Sequence, residues 1–223
     1  MTDAHCHVSC GDSSVRELLV GRDFFGVHPW ETLGEFEVES LKLKVGEELR
    51  SKLLANPQAG VGEIGLDRLK VRDIPPLMRE VFESQLALAL ELRRPVVLHG
   101  AKCWGQVVAT IRKLTTHNSQ LTNFLFHGFS RSDGLIPEIA ELNGFISVGP
   151  AVLNDHAVNY RELVKKIPLD RLLVETDAVV GACVPTRPHI RDVLVKTADI
   201  LNLSAAELEK TTDENADRFL GAV

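Results

Sequence analysis

The side chains able to do chemistry in this 223-residue chain begin at once, with Asp3-Ala4-His5-Cys6-His7. On an extended strand alternate side chains point to one face, so Asp3, His5 and His7 share a face while Ala4 and Cys6 point the other way. Two imidazoles side by side on a strand make a poor core and a good grip on a divalent cation. Further candidates stand at the ends of apolar runs: His28 after Phe24-Phe25-Gly26-Val27, His99 after Pro95-Val96-Val97-Leu98, and His127 after Asn123-Phe124-Leu125-Phe126. Asp177 likewise ends the run Arg171-Leu172-Leu173-Val174-Glu175-Thr176. Glu63 lies inside a glycine-rich run, residues 59–67, whose interior glycines imply that something approaches the backbone closely. Singly, each has a structural reading: a hydrogen-bonded strand-end histidine, a buried acid paired with an arginine at Glu63, a turn cap at Asp177. Four of the 8 histidines (His5, His7, His99 and His127) and two acids at successive strand ends, with His28 nearby, favour one shared site. Such a set around a divalent cation that activates water describes a metal-dependent hydrolase. His117, His156 and His189 fall in helical or loop contexts and read as surface residues.

Bringing these side chains together requires strands that deliver their C-terminal ends to one place. Helical periodicity or composition predicts helices over 13–20, 37–54, 76–93, 104–114, 134–142, 159–166, 191–201 and 204–219. The second carries Val38, Leu41, Val45, Leu49 and Leu53 on one stripe and stops at Asn56-Pro57. The third carries Val81, Leu86, Leu88 and Leu90, and the last opens on a Ser204/Glu207 capping box. Strands and helices alternate about every 25–35 residues, the mark of parallel βαβ units. Near-continuous apolar strands imply a sheet covered on both faces. Polar residues at strand C-termini suit either a closed barrel or an open doubly wound sheet. Ligands from the first, middle and last strands meet only if the sheet closes, so the expectation is an α/β fold, a TIM-type (β/α) barrel. Seven strands are counted, which leaves the barrel distorted or incomplete.

Composition sets the remaining bounds. With 44% hydrophobic residues and no low-complexity linker, residues 1–223 read as a single domain with a large core. No apolar run is long enough to span a membrane, and no basic-then-apolar leader precedes the first strand. The 4 cysteines are scattered without CxxC spacing, which suits reduced thiols in a cytoplasmic protein. Cys6 and Cys10 flank His7 and read as small buried thiols rather than ligands. A net charge of −6 excludes coating nucleic acid by bulk electrostatics. It leaves room for an enzyme that grips a strand end at a metal centre, where cations reverse the local sign. No obligate protein partner is implied.

The motifs Asp3-Ala4-His5-Cys6-His7, Gly26-Val27-His28-Pro29, Gly62-Glu63-Ile64-Gly65-Leu66-Asp67, Pro95-Val96-Val97-Leu98-His99, Phe126-His127-Gly128-Phe129 and Leu173-Val174-Glu175-Thr176-Asp177-Ala178 run in this order across nearly the whole chain. In these the chain resembles the TatD-related metal-dependent hydrolases, a branch of the amidohydrolase-type barrels. The resemblance implies two divalent metal ions (Mg, Mn or Zn) and phosphodiester hydrolysis, notably a nuclease acting from DNA ends. Carried over by position, His5, His7 and Asp177 hold one metal, His99 and His127 the other, and Glu63 bridges them. Asp177 becomes the general base and His28 a phosphate or scissile-group contact.

Departures from the family pattern concern the mouth. About twenty residues separate His7 from His28, where the family fits a helix, a second strand and another helix, so the second strand is expected to be missing. Gly100-Ala101-Lys102-Cys103-Trp104 lacks the Arg-Asp common after that histidine, and Val179-Val180-Gly181 replaces a proline-containing turn. Lys102, Arg131 and Arg187 are candidate phosphate contacts, each with a solvated-surface reading beside it. The altered mouth and acidic charge keep two alternatives in play. One is a hydrolase for a small-molecule amide, lactone or phosphoester; the other is a non-catalytic binding descendant, against which the intact ligand set counts.

Overall fold

The structure is a computed structural model and describes residues 1–34, 40–41, 44–116, 122–179 and 189–221. Among the described residues eight strands succeed one another: β1 (Thr2–Cys6), β2 (Arg16–Leu19), β3 (Phe24–Phe25), β4 (Gly60–Asp67), β5 (Val96–Ala101), β6 (Phe124–Phe126), β7 (Gly144–Val148) and β8 (Leu172–Val174). Every pairing is parallel, as continuous apolar strands with helical crossovers require. The helices are α1 (Leu49–Ala55), α2 (Pro76–Leu92), α3 (Trp104–Thr115), α4 (Ile136–Glu141), α5 (Val158–Val164), α6 (Ile190–Leu201) and α7 (Ala205–Leu220). The beginning of the stripe expected from Val38, together with His117, Val180, Gly181, Cys183 and Arg187, lies outside the described residues.

The strand count corrects the sequence expectation. The second strand is present, and what is missing is the helix before it. Residues 13–20 hold β2, paired with β1 through Thr2–Arg16, Asp3–Glu17 and Cys6–Leu19. Val15, Leu18 and Leu19 fit a helical stripe as well as a strand, and so short a run does not distinguish the two. Pairing decides it: β1 is buried throughout and its backbone groups need a neighbour in place of water.

The hydrogen-bonded order is β1-β2 in one arc and β3-β4-β5-β6-β7-β8 in the other. The arcs meet at two seams without regular ladders, so the ring is a barrel whose ladder does not run all the way round. At one seam Val20 bridges to Phe24. At the other the Asp177 N–H donates to the His5 carbonyl (3.1 Å), and the Asp3 carboxylate accepts from the Thr176 N–H (2.9 Å) and hydroxyl (2.6 Å). That second seam joins the strand of the first ligands to the strand of the last.

Alternation along the strands separates core from chemistry. Val97, Leu125, Phe145 and Leu173 form one buried cluster with Phe24, and Phe219 of α7 packs into it, stacked on Phe24 with ring centroids 5.8 Å apart. Two residues further along the same strands come His99, His127, Ser147 and Glu175. The outer faces of the strands pack on the helices in a larger cluster that includes the expected Leu86, Leu88 and Leu90 stripe of α2. Ser204 caps α7 reciprocally with Glu207, as the sequence predicts. Cys103 is a free, buried thiol and Cys6 is buried, whereas Cys10 is free and exposed, where the sequence reading expects a buried thiol. Among the described residues no helix is long and apolar enough to cross a membrane.

Candidate metal centre

Glu63 is the hub of the site, 4% exposed at the middle of β4. Its two oxygens face different ways. Oε1 meets His99 Nδ1 and His127 Nε2, each at 2.6 Å, with His28 Nε2 at 3.5 Å. Oε2 meets His7 Nε2 at 3.3 Å and His5 Nε2 at 3.5 Å, and both imidazoles lie 3.7 Å from Asp177 Oδ1. Three sets of ligand atoms, each drawn together within 4.8 Å, result: His5-His7-Asp177, His5-Glu63-His127 and His28-Glu63-His99. The structure thus brings all seven sequence candidates to one place. It links His127 to His5 as closely as to His99, so the donors form a continuous cluster around Glu63.

The donors fit a cation. Both ring nitrogens of fully buried His5 lack a hydrogen-bond partner, as does Nδ1 of His127. Buried imidazole nitrogens without partners are costly unless something else accepts their lone pairs. Two ligands held about 2.0–2.2 Å from one cation at tetrahedral or octahedral angles stand roughly 3.0–3.5 Å apart, close to the separations around Oε2. Burial holds the His5 imidazole neutral, down to about 4, the form in which it ligates. Burial of Glu63 opposes its charge, but the positive charge of His127 and the converging imidazole hydrogen bonds win and hold its carboxyl well below the usual range. The site therefore presents a carboxylate and at least one neutral imidazole.

The surrounding residues fix each donor's direction. Asp67, at the end of β4, is buried and sits 2.7 Å from His99 Nε2, which leaves His99 Nδ1 to face Glu63. A carboxylate behind a ligand histidine sets its tautomer and raises its basicity. Glu175 lies fully buried behind His127, its oxygens accepting from the Gly128 N–H (2.8 Å) and the Ser147 hydroxyl (2.5 Å). Burial pushes the Glu175 carboxyl up to about 7. His28 is held from two sides. Its Nδ1 accepts from the Trp30 N–H (3.1 Å) as the cap of a 3-10 helix, Pro29–Leu33, which leaves Nε2 carrying the proton. The buried Gln85 side chain of α2 pairs with both the N–H (2.7 Å) and the carbonyl (3.1 Å) of Val27 just before it.

Asp67, Glu175 and Gln85 are not among the candidates drawn from the sequence. Asp67 closes the glycine-rich run and Glu175 has the parity of Asp177 on its strand, signals that alternation alone supplies. Gln85 lies on an apolar helical face, where a polar residue is itself the signal. The close approach implied by the glycines is to the neighbouring strand. At Gly65 (φ +150) a Cβ would stand 2.0 Å from the His99 carbonyl oxygen. Of the candidate phosphate contacts, Lys102 and Arg131 are exposed, both with left-handed backbone (φ 58 and 59). Arg131 borders a cleft of about 740 Å³ that also reaches Asp177, Glu175 and His156. His156 is exposed there, and His189 caps α6 through the Arg191 N–H.

Comparison with known proteins agrees with this architecture. The family model for TatD related DNases matches residues 21–221. A protein of Pectobacterium atrosepticum named 3'-5' ssDNA/RNA exonuclease TatD is 30% identical over 204 residues, covering 86% of this chain and 75% of that protein. The uncharacterized metal-dependent hydrolase YabD of Bacillus subtilis is 29% identical over 165 residues, 71% of this chain. The chain spans only 64% of the YabD length. Among solved structures, YJJV, a TatD homolog from Escherichia coli, superposes with a TM-score of 0.72 at 24% identity, over 94% of this chain and 78% of that one. The chain belongs to the TatD-related DNase family of metal-dependent hydrolases.

Proposed function

We propose that this protein is a metal-dependent phosphodiesterase that removes nucleotides from the end of a DNA strand. The observation that carries the reading is the division of labour at Glu63, whose Oε1 faces His99 and His127 while Oε2 faces His5 and His7. His5, His7 and Asp177 would hold one divalent cation, His99 and His127 a second, and Glu63 both. An imidazole and carboxylate set suits Zn, Mn or Mg at such a site. The cations would supply Lewis-acid polarisation of the phosphoryl group and a lowered pKa for the attacking water.

The chain's own residues do the rest. Asp177 is 45% exposed at its side chain, on a left-handed turn (φ 48) at the rim of the cleft. From there it orients the water and takes its proton. His28, with its proton on Nε2, is a hydrogen-bond donor and suits a phosphoryl oxygen better than a cation. The cleft beside Asp177 has the size of a small-ligand site, enough for one terminal nucleotide, with Arg131 at its edge to meet phosphate. The relative named as an ssDNA/RNA exonuclease supports this substrate class.

The test is cleavage of end-labelled single-stranded DNA with added Mg²⁺ or Mn²⁺. Wild type should produce a ladder from one end that vanishes with chelator and in Glu63→Gln. Metal-loaded protein that leaves DNA intact yet turns over small esters would refute the nuclease reading and leave a small-molecule hydrolase.

A further inference from the structure

On the side of the centre away from the cleft stands Trp30, the first turn of the 3-10 helix at the mouth. Its side chain is anchored at one edge and stays partly exposed. The indole N–H donates to Asp67 Oδ2 (2.8 Å), the same oxygen that meets His99 Nε2. The ring meets His28 and His99 edge-on, at centroid distances of 4.9 and 6.3 Å and interplanar angles of 77° and 72°. It nevertheless remains 43% exposed, the only aromatic among the large apolar side chains that are exposed in the described residues. An indole needing only to orient Asp67 would gain by burial. What covers it is Lys70, whose ammonium lies 3.6 Å from the ring centroid. No carboxylate pairs with Lys70 among the described residues.

From these observations we propose that Trp30 is a stacking platform for an unpaired nucleobase, with Lys70 as its phosphate partner. This rests on the nuclease reading and extends it, since it assigns the part of the strand that lies outside the terminal-nucleotide cleft. The cleft adjoins Asp177, and Trp30 adjoins His28 and His99, so a phosphodiester at Glu63 has one flank towards each. A cation over an exposed ring is held more weakly than a stacked base, so a base displaces the ammonium. The flexible lysine stem then leaves its charge beside the backbone of the same strand. The indole is already fixed by Asp67, so stacking costs it little conformational freedom. A base can offer its face to this ring only when it is out of a duplex, which makes the platform selective for single-stranded ends. The ring reads a π-face, so it accepts any base.

Binding of phosphorothioate hexathymidylates in Mg²⁺, each with one abasic position, tests this directly. In wild type one position should weaken binding about 5- to 150-fold when its base is removed, and the others should matter less. Trp30→Leu should flatten that profile, whereas Trp30→Phe, which keeps the ring and loses the N–H, should retain most of it. The chain has 2 tryptophans and Trp104 is buried, so oligonucleotide should also quench the accessible tryptophan emission. A flat wild-type profile, or Trp30→Phe behaving as Trp30→Leu, overturns the platform while Glu63-dependent cleavage of DNA leaves the nuclease reading standing. Wild type that neither binds nor cuts any of these strands overturns both.

Discussion

Gly65→Ala tests whether the glycines of β4 exist to seat it against β5. The methyl would be placed 2.0 Å from the His99 carbonyl oxygen, 2.9 Å from its carbonyl carbon and 3.0 Å from its nitrogen. All three are backbone atoms, so no side-chain rotation relieves the contact. The φ of +150 adds a conformation that L side chains rarely adopt. Backbone strain of about 1–3 kcal/mol and overpacking of about 1–3 kcal/mol together predict a loss of about 2–6 kcal/mol. For a chain of this size each kcal/mol lowers Tm by about 2–4 °C. The assay is urea and thermal unfolding followed by circular dichroism, beside a metal titration, because Gly65 pairs with His99 and any separation of the strands displaces that ligand. Gly105→Ala is the matched control. It lies in the first turn of α3 with nothing within 4 Å of its added Cβ, and should be neutral or stabilising by up to about 1 kcal/mol. A Gly65→Ala protein within about 1 kcal/mol of wild type, with unchanged metal binding, would refute the reasoning.

Two further outcomes follow from the residues behind the ligands. Asp67→Asn should weaken metal binding about 10- to 100-fold, measured by competition with a chromophoric chelator, while the unfolding midpoint of the metal-free protein falls far less than in Gly65→Ala. Gln85→Leu strips both partners from the buried Val27 backbone and should cost about 2–5 kcal/mol by urea unfolding. Any activity lost beyond that should show in turnover rather than metal affinity, since the segment leads to His28.

The sequence carried the ligand set because barrel ligands occupy strand ends, where a polar residue interrupts an apolar run. His99, His127 and Asp177 were legible for that reason, and His5 and His7 by their alternation. Residues 13–20 were not, because a four-residue strand and one turn of helix share the same apolar spacing, and the choice is made by the unpaired edge of β1. Gln85 was hidden for a different reason: its partner is the distant Val27 backbone, a relation that local spacing does not write. The direction of each imidazole was equally out of reach, since it depends on which carboxylate stands behind the ring.

The second seam has a consequence for the order in which the protein can become functional. His5 and His7 lie on β1 or at its end, yet the groups that pin β1, Thr176 and Asp177, lie some 170 residues later, as the Asp3–Thr176 separation of 173 positions records. The α7 helix adds a clasp from still further along, with Thr2 bonded to Asp213 and Arg16 to Asp217. Contacts of such long sequence separation form late because their loop entropy must be met first. A chain made from its N-terminus therefore carries these two histidines without a finished site until Thr176 and Asp177 have followed. The centre is complete only when α7 folds back on β1 and β2, which ties its assembly to the late, long-range contacts of the fold.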